Sequence, residues 1–221
     1  MSKEGLEFTL LPLNLPADAP QILRLHYRAY TSDPKPPESE FITTNLQPML
    51  SRFSNPGNLR AKLVHSSDNS KIVSYTIFSP PKPPDARSEE EKAAALRKEI
   101  ESISAIQDKE LAFRLKTEDR VLNEKFLGPN YESRFWELTS LVTDPEYQRR
   151  GLGSRLVKFG LEHVEAMVRR SEGQLEGVYL IANPAGGKTY LKAEFEKVGE
   201  REGGEELEER LRHQWYLKWF T

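Results

Sequence analysis

The chain has 221 residues, of which 37% are hydrophobic and 30% charged, enough apolar material for a single core and one domain rather than two. A formal net charge of −2 excludes a broadly basic nucleic-acid binder. The absence of cysteine excludes disulfides, thiolate metal sites and a cysteine nucleophile, and four scattered histidines do not make a protein-held zinc site. The N-terminal apolar run is too short for a signal peptide and no stretch reaches the length of a membrane span, so a soluble cytoplasmic protein with no membrane partner is expected.

In chain order, residues 6–13 (LEFTLLPL) predict a first strand closed by Pro12 and Pro16. Asp18 is placed to cap a helix over APQILRLHYRAY, with Ile22, Leu25 and Ala29 on one face. TSDPKPPESE then interrupts, since three prolines in ten residues suit neither a helix nor a central strand. LRAKLVHS and KIVSYTIFS read as a hairpin turning at SDNS, residues 67–70. A charged block over residues 83–131 follows, with a capping box at Ser88 and Glu91 and an apolar stripe of Leu96, Ile100, Ile103 and Ile106. It reads as a helical insertion lying over the core, with a solvated face or a lid over a pocket as its alternatives. FWELTSLVT is then a strand, and GLGSRLVKFGLEHVEAMVRR an amphipathic helix with Leu152, Leu156, Val164, Met167 and Val168 inward. GVYLIAN is the next strand, KTYLKAEFEKVG a short helix running into a strand, and the apolar QWYLKWF a last strand. The expected fold is α/β: a mixed, mostly antiparallel central sheet flanked by helices, with the insertion between the third and fourth strands.

The junction between FWELTSLVT and the amphipathic helix carries the chemistry. Gly151 and Gly153 let backbone approach a ligand without Cβ collisions. The first amides of the helix lack intrahelical partners and favour an anion by about 0.3–1 kcal/mol when exposed. Gln148, Arg149 and Arg150 add donors, a combination that suits a pyrophosphate. A Rossmann loop would need a third glycine and a tighter turn than DPEYQRR allows.

These residues resemble a known signature. LVTDPEYQRRGLGSRLV is similar to the acyl-CoA-binding motif of the GCN5-related N-acetyltransferase (GNAT) superfamily, Gln/Arg-x-x-Gly-x-Gly/Ala. The resemblance implies the acyl-CoA N-acyltransferase fold and acetyl-CoA as acyl donor. It implies that the loop from Gln148, Arg149, Arg150 and Gly151 through Leu152, Gly153 and Ser154 holds the pyrophosphate, and that the strand Leu141, Val142, Thr143 binds the pantetheine arm. Members often carry Asn-x-x-Ala-x-x-Leu-Tyr-Glu-Lys-x-Gly-Phe further on. Here Asn183 and Tyr190 stand at the matching separation, while Gly186 replaces the alanine, Thr189 the leucine and Glu194 the glycine before Phe195. The resemblance places Asn183 against the cofactor arm and Tyr190 near its sulfur. Residues 182–189 (ANPAGGKT) also fit a relaxed P-loop, but nothing after them supplies the further parallel strands and magnesium-binding carboxylate that such a site requires.

The implied reaction is attack of a neutral amine on a thioester, with a base for the amine, amides for the oxyanion and an acid for the thiolate. The backbone around Val142 is the candidate oxyanion donor, and Tyr190, with an ordinary pKa near 10, the candidate acid. Glu137 stands 11 residues before Gln148, matching by resemblance the glutamate base of histone-acetylating members. His26 and His163 are weaker base candidates. The acceptor is expected around residues 27–49 and the insertion, where Tyr27, Tyr30, Phe41 and Trp136 could line an aromatic pocket or fill the core. A small-molecule amine is the first choice of partner and a protein amine the second, with the chain a monomer or homodimer. The alternative class is a non-catalytic acyl-CoA-binding module of the same fold.

Overall fold

In a computed structural model that describes residues 7–30, 35–102, 108–201 and 212–220, the chain builds a seven-stranded sheet in the order β1-β2-β3-β4-β5-β7-β6. Its elements in sequence are β1 (Phe8–Pro12), α1 (Leu15–Tyr30), α2 (Glu38–Arg52), β2 (Leu59–His65), β3 (Asp68–Ser79), α3 (Glu89–Ser102), α4 (Lys109–Leu127), α5 (Tyr131–Arg134), β4 (Phe135–Thr143), α6 (Leu152–Arg170), β5 (Gly177–Ala182), α7 (Gly187–Lys192), β6 (Glu196–Glu200) and β7 (Gln214–Trp219). All strand pairs are antiparallel except β4 with β5. Three helices therefore lie between β3 and β4, where an insertion is expected, and the mixed, mostly antiparallel sheet is as the sequence implies.

The parallel pair is short. Phe135, Trp136 and Glu137 pair with Gly177, Val178 and Tyr179, and there the pairing stops. Beyond it β4 stays on β3 as far as Thr143, and β5 stays on β7 as far as Ala182. The two strands thus part within one sheet and leave a wedge whose edges carry backbone groups without ladder partners. A register shift opposite Ile77 and Phe78 leaves Thr139 as an extra residue in β4. This bulge re-aims the strand. Trp136, Leu138 and Leu141 join the apolar cluster that α6 covers, whereas Val142 joins the cluster under α1 and α2.

Helix α6 seats on one face with Leu156, Val157 and Val164 fully buried. The other face is shared: α1 and α2 cover its β1–β4 half, and α4 covers β7 and β6 through Phe126, whose ring centroid lies 5.3 Å from that of Trp215. Asn123 accepts from Trp215 Nε1 at 2.5 Å, and Arg201 is paired with Asp119. The insertion is therefore a structural cover for sheet that would otherwise be bare. Its capping box forms, with Ser88 N donating to Glu91 at 2.7 Å and Glu91 N to Ser88 Oγ at 3.2 Å. Ile100 is buried, while the expected stripe residues Ile103 and Ile106 lie outside the described residues.

Several local expectations are corrected. Helix α1 starts at Leu15, ahead of Asp18, because the Asp18 carboxylate reaches back to the Asn14 amide at 2.8 Å and pairs with Lys62 at 2.7 Å. Pro16 accordingly sits in a first turn that needs no amide donor. The hairpin turns at Ser66 and Ser67, and residues 68–70 belong to β3. Residues 38–52, given no element from sequence, form α2, and Met167 is exposed where an inward position is expected.

The turn after α7 answers the question raised by Glu194. Phe195 N donates to Tyr190 O at 3.0 Å and Glu194 N to Leu191 O at 3.1 Å, the bond pair of a Schellman cap. Glu194 occupies its left-handed position with φ 62°. Glutamate fits there at a cost, and its ion pair with Lys218 is on an 87% exposed carboxylate that adds little. Glu194→Gly is expected to raise unfolding stability by about 1 kcal/mol in urea titration.

Candidate active site

A cleft of about 700 Å³ opens at the wedge. Leu141 and Thr143 of β4 line one side, the loop of Gln148, Arg149 and Gly151 with Leu152, Gly153 and Ser154 the floor, and Asn183, Gly186, Thr189 and Tyr190 the other side. Ala29 and Tyr30 close it from the end of α1.

The backbone of the floor is shaped for an anion. Arg149 and Gly151 both have positive φ, 62° and 78°, and this alternation turns successive amides toward one point. No side chain caps α6, and its first intrahelical bond is Arg155 N to Gly151 O at 3.0 Å. The amides before Arg155 are left for a ligand. Gln148 donates through Nε2 to Thr143 O at 3.2 Å, fixing the loop to the strand. The Arg150 side chain points elsewhere, over the Tyr147 ring and toward Glu7. Lys188 and Lys192, one helical turn apart, add cationic groups that the sequence reading did not single out, although their spacing signals a common face.

Register decides which β4 amides are free. Asp144 N donates to Val73 O at 2.9 Å, so Asp144 faces β3. Alternation turns the amides of Val142 and Ser140 the same way. Side-chain bonds to the Val142 and Ser140 carbonyls from Ser74 and Thr76 agree with this. Leu141 and Thr143 therefore present their amides to the wedge. Val142, named at the centre of the expected oxyanion donor, spends its backbone on β3 and its side chain on the core; the free groups are its two neighbours.

Asn183 lines the cleft while its Oδ1 accepts from Gly186 N at 3.2 Å, capping a 3-10 turn over Pro184–Gly186. The Tyr190 ring packs between Phe195 and Tyr216, and its hydroxyl has no hydrogen-bond partner among the described residues. A Cβ on Gly186 would sit 3.0 Å from that ring, which explains why glycine stands where alanine is the commoner residue. Burial, then the nearby Tyr30 and Tyr216, raise the Tyr190 pKa well above its ordinary value. Against the ordinary value near 10, burial makes Tyr190 a weaker acid and keeps its hydroxyl protonated.

Glu137 is the last β4 residue paired to β5, opposite Tyr179 at the apex of the wedge. Its side chain lies on the face shared by α1–α2 and α4–α5, where Tyr179 donates to it. Burial raises its pKa, against the opposing pull of Lys82 and Arg52. His26 also reaches this face, bonded to Tyr75, whereas His163 is exposed on α6 with Nδ1 against Phe159 O at 2.8 Å. The aromatic residues of the expected pocket separate. Tyr27 and Phe41 meet at a tilt with ring centroids 5.5 Å apart, Tyr30 is exposed at the cleft, and Trp136 is buried beneath α6 on the opposite face. Two buried carboxylates hold α1 over the site: Asp144 paired with Arg28, and Asp18 with Lys62.

A seven-stranded mixed sheet parted between its parallel strands, with an uncapped helix at the parting, is the architecture of the acyl-CoA N-acyltransferases. Residues 123–185 match the acetyltransferase (GNAT) family. Similar solved structures include the mosquito arylalkylamine N-acetyltransferase like 5b, 13% identical over 96% of this chain and 99% of that one, with a TM-score of 0.59. Drosophila melanogaster polyamine N-acetyltransferase, which catalyses formation of N-acetylagmatine, is 13% identical over 96% and 100%, with a TM-score of 0.55. A histone acetyltransferase HPA2 and related acetyltransferase from Corynebacterium glutamicum is 16% identical over 96% of each, with a TM-score of 0.54. By sequence, no curated protein matches the chain. A segment that matches the GNAT family thus lies on the fold that these acetyltransferases share. The P-loop reading of residues 182–189 fails on topology, because neither later strand pairs parallel: β7 is antiparallel to its sheet neighbour β5, and β6 is antiparallel to β7. Among the described residues, no helix is long and apolar enough to cross a membrane.

Proposed function

We propose that the protein transfers an acetyl group from acetyl-CoA to a primary amine by direct attack. The observation that carries this is the cleft itself, in which free amides of Leu141 and Thr143 run into the uncapped start of α6. Bound acetyl-CoA supplies a thioester carbonyl and a thiol leaving group. The loop from Gln148 to Ser154 holds the pyrophosphate, with Arg149 and the lysines of α7 near the outer phosphates. The amides of Leu141 and Thr143 pair with the pantetheine arm and with charge developing on the carbonyl oxygen. Asn183 borders the arm. Glu137, whose raised pKa strengthens it as a base once ionised, takes the amine proton. Tyr190 donates a hydrogen bond to the departing sulfur.

A small-molecule amine is the preferred acceptor. The face that carries Glu137 is confined between α1–α2 and the α4–α5 cover, which suits a compact substrate better than an extended peptide. The mosquito and Drosophila neighbours are named for small amines, which is consistent with this choice. A monomer or homodimer acting in the cytoplasm completes the proposal.

The direct test is thermal unfolding with acetyl-CoA, and separately with ATP and magnesium, followed by free-thiol detection over an amine panel. At 100 times its Kd, a ligand of the native state adds about 2.7 kcal/mol. Stabilisation by acetyl-CoA together with amine-dependent thiol release is expected; stabilisation by ATP alone would sink the proposal. Thiol release without any acceptor dependence would instead favour a binding module. Tyr190→Phe is expected to lower kcat about 10–100-fold while leaving acetyl-CoA stabilisation intact. Unchanged turnover in that variant would remove its role at sulfur.

A further inference from the structure

Beyond Glu137 and Tyr190, a chain of polar groups joins α1 to the free half of β4. His26 Nε2 is bonded to the Tyr75 hydroxyl in a short contact, and the same hydroxyl lies 2.8 Å from Ser140 Oγ. Tyr75 is fully buried, so its hydroxyl is committed to these two partners. The rings of His26 and Tyr75 lie nearly parallel, 5.8 Å apart, and Tyr30 closes the other side of His26 at 5.6 Å. Ser140 is the first residue after the bulge, in the part of β4 that β5 no longer covers. It is half-buried, and its side chain shares the face of Glu137 because the bulge at Thr139 resets the alternation.

The polarity of this chain follows from acid–base strength. A phenol O–H is a more acidic donor than an imidazole N–H, and an imidazole nitrogen a more basic acceptor than a phenol oxygen. Tyr75 therefore donates to His26 Nε2, and its oxygen is left to accept from Ser140. With its proton directed inward, Ser140 Oγ turns its lone pairs outward. The groups facing His26 are Tyr30 on its own helix, Arg52 of α2 and Tyr75 of β3. Burial first, then Arg52, lower the His26 pKa to about 4, which keeps the imidazole neutral and accepting at neutral pH.

We propose that Ser140 is the second group to meet the acceptor amine, accepting a hydrogen bond from its nitrogen, and that Tyr75 and His26 are positioning residues that fix the direction of the Ser140 hydroxyl. This rests on the acetyltransferase reading. Glu137 and Ser140 then hold two N–H groups of one amine on the same face, which orients the nitrogen lone pair toward the wedge. The arrangement selects primary amines, since a tertiary amine lacks both donors and a secondary amine lacks one once its proton is lost.

The test compares wild type with Ser140→Ala, Tyr75→Phe, His26→Leu and His26→Gln, using phenethylamine and agmatine as probe amines. Ser140→Ala is expected to lower kcat/KM for the amine at least 10-fold with acetyl-CoA stabilisation unchanged. His26→Leu should do the same, and His26→Gln should recover part of the loss because its carbonyl can accept from Tyr75. Independently of substrate, side-chain nitrogen chemical shifts at pH 7 should show His26 protonated at Nδ1 and bare at Nε2. A His26 protonated at Nε2, or amine kinetics untouched by Ser140→Ala, would overturn this inference. Absence of acetyl-CoA stabilisation in wild type would instead overturn the acetyltransferase reading, and this inference with it.

Discussion

Gly153→Leu is expected to abolish acetyl-CoA binding while leaving the fold at least as stable as wild type. Gly153 lies in the first turn of α6, where its backbone is helical. A Cβ there would meet Leu141 Cδ2 at 3.7 Å, Thr143 Oγ1 at 3.8 Å and Thr189 Cγ2 at 3.9 Å, all ordinary contacts. A larger side chain would extend into the cleft between β4 and α7. Leucine also favours a helix over glycine by about 0.8 kcal/mol, so unfolding stability should hold or rise. The expected loss is at least 100-fold in affinity, read as disappearance of the acetyl-CoA-induced thermal shift. Retained stabilisation would show that the ligand does not cross Gly153. Gly151 is a poorer probe, although nothing lies within 4 Å of its Cβ direction, because its φ of 78° makes any side chain strained and confounds binding with folding.

Glu137→Gln should lower kcat by about 10²–10⁴-fold, the usual range for loss of a general base, with little effect on acetyl-CoA affinity. The pH dependence gives the sharper readout. A buried carboxylate with a raised pKa is protonated, and inactive as a base, up to a higher pH than usual. Wild-type kcat should therefore fall as pH drops through that raised value, and this acid limb should vanish in the variant. The limb is distinct from His26, whose lowered pKa near 4 places its own titration further into acid. The sign for stability is the reverse of that for activity. The raised folded pKa means that protonated Glu137 is the better tolerated form, so its stabilising contribution is present below the unfolded pKa and lost as pH rises through the folded one. At neutral pH Glu137→Gln should consequently unfold no more easily than wild type. A variant with wild-type turnover and an unchanged acid limb would exclude Glu137 as the base.

The loop at Gln148–Gly153 was readable from sequence because the groups it presents are successive amides of one covalent segment. Glycine spacing and the onset of an apolar helix are enough to place them. The partners of that loop depend on distant pairings. That Leu141 and Thr143, and not Val142, face the wedge follows from the Asp144 bond to Val73, a register that no local pattern encodes. Helix α2 went unread since Pro48 and two threonines dilute its apolar face, and tertiary packing under α1 decides it. Met167 is exposed although Val164 and Val168 on either side of it are buried, so it stands at the margin of the apolar stripe of α6. ANPAGGKT carries a phosphate-loop spelling, yet the same letters make a 3-10 turn and the seat of the Tyr190 ring.

By itself, then, the sequence determined what is local: the elements with strong periodicity, the glycine-rich start of α6, the absence of thiol chemistry and the positions of Glu137 and Tyr190 along the chain. Tertiary structure alone decided which side of the sheet each group serves. The wedge exists because β4 and β5 keep different partners, the α4 cover because β6 and β7 would otherwise be bare, and the His26–Tyr75–Ser140 chain because a bulge at Thr139 turns a serine toward a helix more than a hundred residues earlier. Such contacts join residues distant in the chain, and only the packed sheet brings them within hydrogen-bond reach.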